Sequence, residues 1–224
     1  IDAAATLAEV EDLYRPYKPK RRTRATIARE KGLGPLAQLL FAQGRDCPAP
    51  ETAAADYVNP EKGVNSVEEA LAGASDIIAE AVSDDANLRK RLRELWRSKG
   101  SLVSRAADKE PEDTVYRLYY DFTTPVSRAM GHQILAINRG EREGVLKVSV
   151  EMDREAALIV VRRAVLAPGA PSMSFVRAAA EDAYDRLIAP SIEREIRSLL
   201  TEQADEGAIK MFGLNLKPLL MQPP

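Results

Sequence analysis

Apolar residues in this chain recur at intervals of three and four over most of its length, a spacing that suits little besides helices. Leu7, Val10, Leu13 and Tyr14 make one such stripe, and Leu88, Leu92, Leu95 and Trp96 make another. The residues that start and stop helices fall between the stripes. Pro16 terminates the first helix, and 15–22, with Pro16 and Pro19, is expected to be extended because residues before proline avoid the helical region. Thr23 caps a short helix that closes at Gly32, and Pro35 suits the first turn of the next, which stops at Gly44. Ser66-Val67-Glu68-Glu69 is a capping-box sequence opening a helix to about Val82. Ser83 is expected to cap another helix, with Asp84 and Asp85 at its electropositive start and Arg97 and Lys99 at its electronegative end. Thr124-Pro125 is expected to begin a helix reaching Gly140. Beyond Asp153 the pattern predicts helices over 154–166, 173–189, 192–203 and 208–221.

Strand signals are few. The run 145–150 alternates in part, and 102–106 does so more weakly. The expected fold is therefore mainly α, a multi-helix assembly with a minor β element near 101–107 and 145–151. It reads as one helical region over 1–224. A looser, proline-bearing connection over 45–63 divides it into amino-terminal helices with a basic segment, 1–44, and a helical core, 64–224. Ile1 and the amphipathic run after it read as the middle of a helix, so a segment of a longer protein is expected. Gln222-Pro223-Pro224 reads as a linker leaving the fold.

The net charge of −2 conceals a segregation. Residues 15–31 hold eight basic side chains against the single acid Glu30, and 89–99 hold six against Glu94. Charge sorted in this way points either to an anionic partner or to docking on an acidic surface of the same protein. No apolar run reaches the ~18 residues of a membrane span, so no membrane association is expected. The single cysteine, Cys47, allows no intrachain disulfide and fits a reducing compartment, and the expected location is cytoplasmic.

Signals for catalysis are poor, and the expectation is that the chain is not an enzyme. His132 is the only histidine, with no second histidine or cysteine at ligand spacing, so neither a metal nor a cofactor is expected. Cys47 reads as a bystander thiol. The acid pairs Glu68-Glu69, Asp84-Asp85, Glu181-Asp182 and Asp205-Glu206 are sequence neighbours, which point in different directions on a helix and do not converge on a substrate. No phosphate loop or dinucleotide fingerprint is present. Tyr116, Tyr119 and Tyr120, at helical spacing, read as core and core edge.

The basic segments are the candidate site. Lys18, Lys20, Arg21, Arg22, Arg24, Arg29 and Lys31 follow two tyrosines, Tyr14 and Tyr17, and such cations bind phosphates through counterion release. Exposed aromatics in that position can stack on bases. Arg89, Arg93 and Arg97 form a second cationic stripe at four-residue spacing. The competing reading makes the first segment a connector docked on the chain's own acidic helices, and the stripe a solvated helix face. Gly32-Leu33-Gly34-Pro35 resembles the helix-hairpin-helix element that offers backbone N–H groups to a phosphate, and it reads equally as a plain tight turn.

Two stretches carry a family resemblance. Glu11-Asp12-Leu13-Tyr14-Arg15-Pro16-Tyr17-Lys18-Pro19-Lys20-Arg21-Arg22-Thr23-Arg24-Ala25-Thr26, with Ala28-Arg29-Glu30-Lys31-Gly32-Leu33, resembles the N-terminal region of the Tex family of bacterial transcription accessory proteins. His132, with Leu135-Ala136-Ile137-Asn138-Arg139-Gly140-Glu141 and Glu143-Gly144-Val145-Leu146, resembles the same family further along. The run 216–224 is similar to the stretch before that family's RNase-H-like domain. The resemblance implies a helical region upstream of an RNase-H-like domain, helix-hairpin-helix elements and an OB-fold RNA-binding domain. It also implies a layout similar to a eukaryotic elongation factor that works with RNA polymerase and histones. One departure is visible: the family often has Ser-His-Arg where this chain has Gly131-His132-Gln133, so no cation carries over there. No catalytic residue carries over either.

The expected function is that of a helical scaffold in a nucleic-acid-binding transcription accessory protein. Its partner through the full-length protein would be nucleic acid, RNA ahead of DNA, with the transcription machinery as a further partner. The alternative is a structural or protein-interaction region that positions its sister domains and binds no nucleic acid of its own.

Overall fold

The computed structural model describes residues 7–18, 22–108 and 114–221. The chain is mainly helical with one small antiparallel sheet, and it divides into two compact units, Ile1–Leu92 with Arg154–Pro190, and Arg93–Asp153 with Ser191–Pro224. The stretch 45–63 falls inside the first unit and carries a short helix and a 3-10 turn.

In the first unit, α1 (Leu7–Tyr14) runs into a 3-10 turn over Arg15–Tyr17, followed by α2 (Arg24–Glu30), α3 (Gly34–Ala42), α4 (Pro50–Ala55) and α5 (Val67–Ser83). Over Arg15–Tyr17 the 3-10 turn corrects the expectation of an extended 15–22: proline's fixed φ suits the first residues of a helical turn, and Pro16 occupies that place. Lys18 is extended as expected, and 19–21 lie outside the described residues. Thr23 caps α2 as expected, its hydroxyl accepting the Thr26 N–H at 3.0 Å. At the other end Gly32 adopts φ +87°, and its N–H and that of Leu33 donate to the carbonyls of Arg29 and Ala28. That closure turns Leu33 inward. It lands on Gly73 of α5, where an added Cβ would stand 2.3 Å from Leu33 Cδ1 and 3.2 Å from Ala28 Cβ.

The helix α5 is the hub of this unit, touching α2, α3, α4 and α9 (Met173–Ala183). Its small residues Ala70, Gly73 and Ala74 allow close approach, and Ile77, Ile78 and Val82 fill the core. Ser66 accepts the Glu69 N–H at 3.2 Å, while the Glu69 carboxylate reaches the N–H of Asn65 rather than that of Ser66. The left-handed residue after α3 is Gln43, not Gly44. Gln43 is buried and uses both ends of its amide, donating to the Val165 carbonyl and accepting from the Ala167 N–H just beyond α8 (Arg154–Val165).

The cap of α6 (Ala86–Lys99) is Asp85, which accepts the Leu88 N–H at 2.9 Å; Ser83 instead bonds back to the Glu80 carbonyl and ends α5. As expected, Leu88, Leu92 and Trp96 are buried. On α1 the end of the stripe is not: Leu13 and Tyr14 are exposed and Val10 is half-buried, whereas Asp12 is buried.

In the second unit, β1 (Ser101–Ala106) lies between β2 (Asp121–Pro125) and β3 (Leu146–Glu151), antiparallel to both, with Val103 opposite Thr123 and Ser149. The strand β2 replaces the helix expected from Thr124-Pro125. Pro125 stands at the end of an edge strand, where its missing N–H costs no ladder bond, and the helix α7 begins only at Gly131 and runs to Arg142. Tyr116, Tyr119 and Tyr120 lie around a 3-10 turn ahead of β2, not on a helix; Tyr116 is buried and the other two half-buried, in keeping with core and core edge. Gly140 packs under Leu146 and Tyr116, its added Cβ falling 2.6 Å from Leu146 Cδ1.

The three separate helices expected after residue 173 form one helical run. From α9 it passes through a π turn over Tyr184–Ile188 into α10 (Ala189–Leu220). Pro190 cannot donate to the preceding turn, and a widened turn just before it lets the helix continue rather than break. Nothing stops α10 at 203–208.

Candidate nucleic-acid interface

Glu80 organises the amino-terminal basic segment. Carried by α5 and only 7% exposed, it accepts from Arg29 Nη1 at 2.5 Å and from the Thr23 hydroxyl at 3.1 Å. Thr23 is thereby held twice, once as the α2 cap and once on this carboxylate, and its neighbours Arg22 and Arg24 are both exposed. Arg22 makes one ion pair, with Glu30 at 3.3 Å, on open surface where such pairs contribute little. Lys18 is exposed at the end of the 3-10 turn. Lys20 and Arg21 lie outside the described residues.

The remaining cations of this segment are engaged. Arg29 is about half-exposed while paired with Glu80, and Lys31 donates to the Gly63 carbonyl at 2.7 Å. Tyr17 and Arg29 line a cleft of about 770 Å³ together with Leu13, Pro16, Glu80 and the acids at the α5–α6 connection. The segment Gly32-Leu33-Gly34-Pro35 forms the tight turn between α2 and α3. The N–H groups of Gly32 and Leu33 are taken by α2, and Pro35 has none.

The second basic stripe separates into three environments. Arg89 is wholly buried and paired with Asp12 of α1 at 2.7 Å. A guanidinium shut off from water cannot reach a phosphate, so Arg89 leaves the candidate set. Arg93 is mostly buried and donates to Glu195 at 2.9 Å. Only Arg97 of the three is exposed, beside the exposed Arg91 and Lys99. Sequence reasoning missed Asp12 and Glu80 as the groups that hold these cations. No local signal in the sequence marks either acid.

Among the described residues, no group of His, Cys, Asp and Glu is arranged to hold a metal ion, and no helix is long and apolar enough to cross a membrane.

A Tex central region-like family model matches residues 46–212. The chain belongs to the Tex family. Over its whole length it is 42% identical to Bacillus subtilis YdcI and 36% identical to the transcriptional accessory protein Tex of Neisseria gonorrhoeae. Over 98% of its length it is 29% identical to the human S1 RNA-binding domain-containing protein 1. It spans 31%, 30% and 23% of these relatives.

The second Tex-like stretch serves the second unit's packing. Ile134 and Ile137 are buried, Asn138 donates to the Thr201 hydroxyl at 2.9 Å, and Glu141 pairs with Arg197. A hydrogen bond from the Tyr116 phenol, and then Arg139, hold the Glu143 carboxyl below its ordinary range. Burial and that same carboxylate push the phenol up. His132 is exposed at the start of α7. Gln133, standing where the Tex family often has arginine, accepts the Met130 N–H at 3.1 Å and so caps the helix.

Proposed function

We propose that this Tex-family chain is a non-catalytic, cytoplasmic helical scaffold of a transcription accessory protein, and that its amino-terminal basic segment contacts the phosphates of nucleic acid, RNA ahead of DNA. The observation that carries this reading is the exposure of Lys18, Arg22 and Arg24 around a doubly anchored Thr23. Lys20 and Arg21 continue the same basic run in sequence. Cations presented from a fixed backbone lose little freedom on meeting a polyanion and gain from released counterions. Arg97 is a secondary contact. The names of the N. gonorrhoeae and human relatives support transcription and RNA as the setting.

A second reading has its own support. Arg29, Lys31, Arg89 and Arg93 all spend their charge inside a unit, as expected of a region that positions sister domains and binds no nucleic acid itself. Binding of the 224-residue chain to labelled RNA and DNA in dilute and in concentrated salt separates the two. Phosphate contact predicts affinity in dilute buffer that falls steeply with salt; no binding in dilute buffer leaves only the scaffold.

A further inference from the structure

Phosphate contact leaves two exposed aromatic side chains unexplained. Tyr17 is 80% exposed and Tyr14 49% exposed, although a tyrosine ring ordinarily gains more from burial than most side chains. The backbone beneath them is closed: the Lys18 N–H donates to the carbonyls of Tyr14 and Arg15, and Pro16 fixes the turn between the rings. Tyr17 is therefore presented from an ordered 3-10 turn, immediately before the first exposed cation, Lys18.

The surroundings assign different jobs to the two sides of Tyr17. The cleft it lines has apolar walls from Leu13 and Pro16, and carboxylates from Asp84 and Asp85. Carboxylates repel phosphates but accept the N–H groups on base edges. The Thr23–Glu80 bond joins the same cleft to Arg22 and Arg24, which stand exposed on either side of Thr23. A strand whose phosphates follow Lys18, Arg22 and Arg24 thus brings its bases to the tyrosine and the cleft.

We propose that Tyr17, with Tyr14 beside it, is a stacking platform for an unpaired base, and that this face of the chain takes single strands. The inference rests on the phosphate-binding reading and adds a base-contacting residue to it. A duplex keeps its base faces inside its own stack, so the ring adds nothing to duplex binding. Stacking of one base on an aromatic side chain typically strengthens binding roughly five- to a hundredfold.

The test uses the whole chain with a short labelled oligouridylate and an abasic strand of the same length and charge. The expected result is oligouridylate bound about tenfold more tightly than the abasic strand. Tyr17→Ala should reduce the first to the level of the second, while Tyr17→Phe, which keeps the ring, should preserve the difference. Equal affinity of the unaltered chain for both strands overturns the stacking site and leaves phosphate contact standing. Failure of both strands to bind in dilute salt overturns the two readings together. Unaltered oligouridylate affinity in Tyr17→Ala overturns the assignment of the ring.

Discussion

Arg89, in the first turn of α6, donates its Nε–H to Asp12 Oδ1 of α1 across 2.7 Å, and both side chains are shut off from water. Beside them Lys90 pairs with Glu9 at 2.7 Å. The helix α1 is thus held by charge where its own apolar residues, Leu13 and Tyr14, remain exposed.

A buried charge that loses its partner is far costlier than a pair replaced whole. Asp12→Leu or Arg89→Met alone is expected to lower stability by about 3–5 kcal/mol, and the double variant Asp12→Leu/Arg89→Met by clearly less than the sum of its parts. Chemical denaturation of the four proteins measures this. Additive losses would mean that the two residues do not act as a pair.

Gly73 tests the close approach of α2 to α5. Alanine is the better helix former by about 1 kcal/mol, yet its Cβ has no room beside Leu33, which is itself buried. Gly73→Ala is expected to destabilise by about 1–3 kcal/mol in the native background. In a Leu33→Ala background the same change should become neutral or favourable. Denaturant midpoints and slopes for the cycle report it.

Glu143 gives a pH dependence with a defined sign. Its carboxyl is held low by the Tyr116 phenol first and Arg139 second. A carboxyl with a depressed value in the folded state contributes stability above its unfolded value, and that contribution is lost as pH falls through the folded one. Tyr116→Phe keeps the ring over Gly140 and removes the hydroxyl. The Glu143 titration followed by NMR should then move to higher pH, and the acid loss of stability should begin at higher pH too. An unmoved titration would remove the phenol from the account.

Local chemistry was the legible part of this fold. Thr23, Gly32, Ser66 and Asp85 act within four residues of themselves, so the ends of α2 and α5 and the start of α6 could be read to within a few positions. Features that need distant partners were not legible. The stripe of Arg89, Arg93 and Arg97 has one appearance in sequence and three environments in the fold. The partners Asp12 and Glu195 lie 77 and 102 positions away. Proline misled at Pro16, which opens a 3-10 turn where extended chain was expected, and twice more for a related reason: Pro125 closes an edge strand that exists only because β1 lies beside it, and Pro190 is absorbed by a π turn inside a helical run. At the candidate site the exposure of Lys18, Arg22 and Arg24 agrees with the basic run, whereas the anchoring role of Glu80 lies 57 positions from Thr23 and had no local sign.

The salt dependence of RNA binding by the chain, compared with that of Lys18→Ala/Arg22→Ala/Arg24→Ala, tests the central claim most directly. Each phosphate contact on a single strand contributes about −0.7 to the slope of log affinity against log salt. The triple variant is therefore expected to bind more weakly with a slope flatter by roughly 2, at unchanged helix content by circular dichroism. Coincident slopes for the two proteins would contradict phosphate contact by these cations.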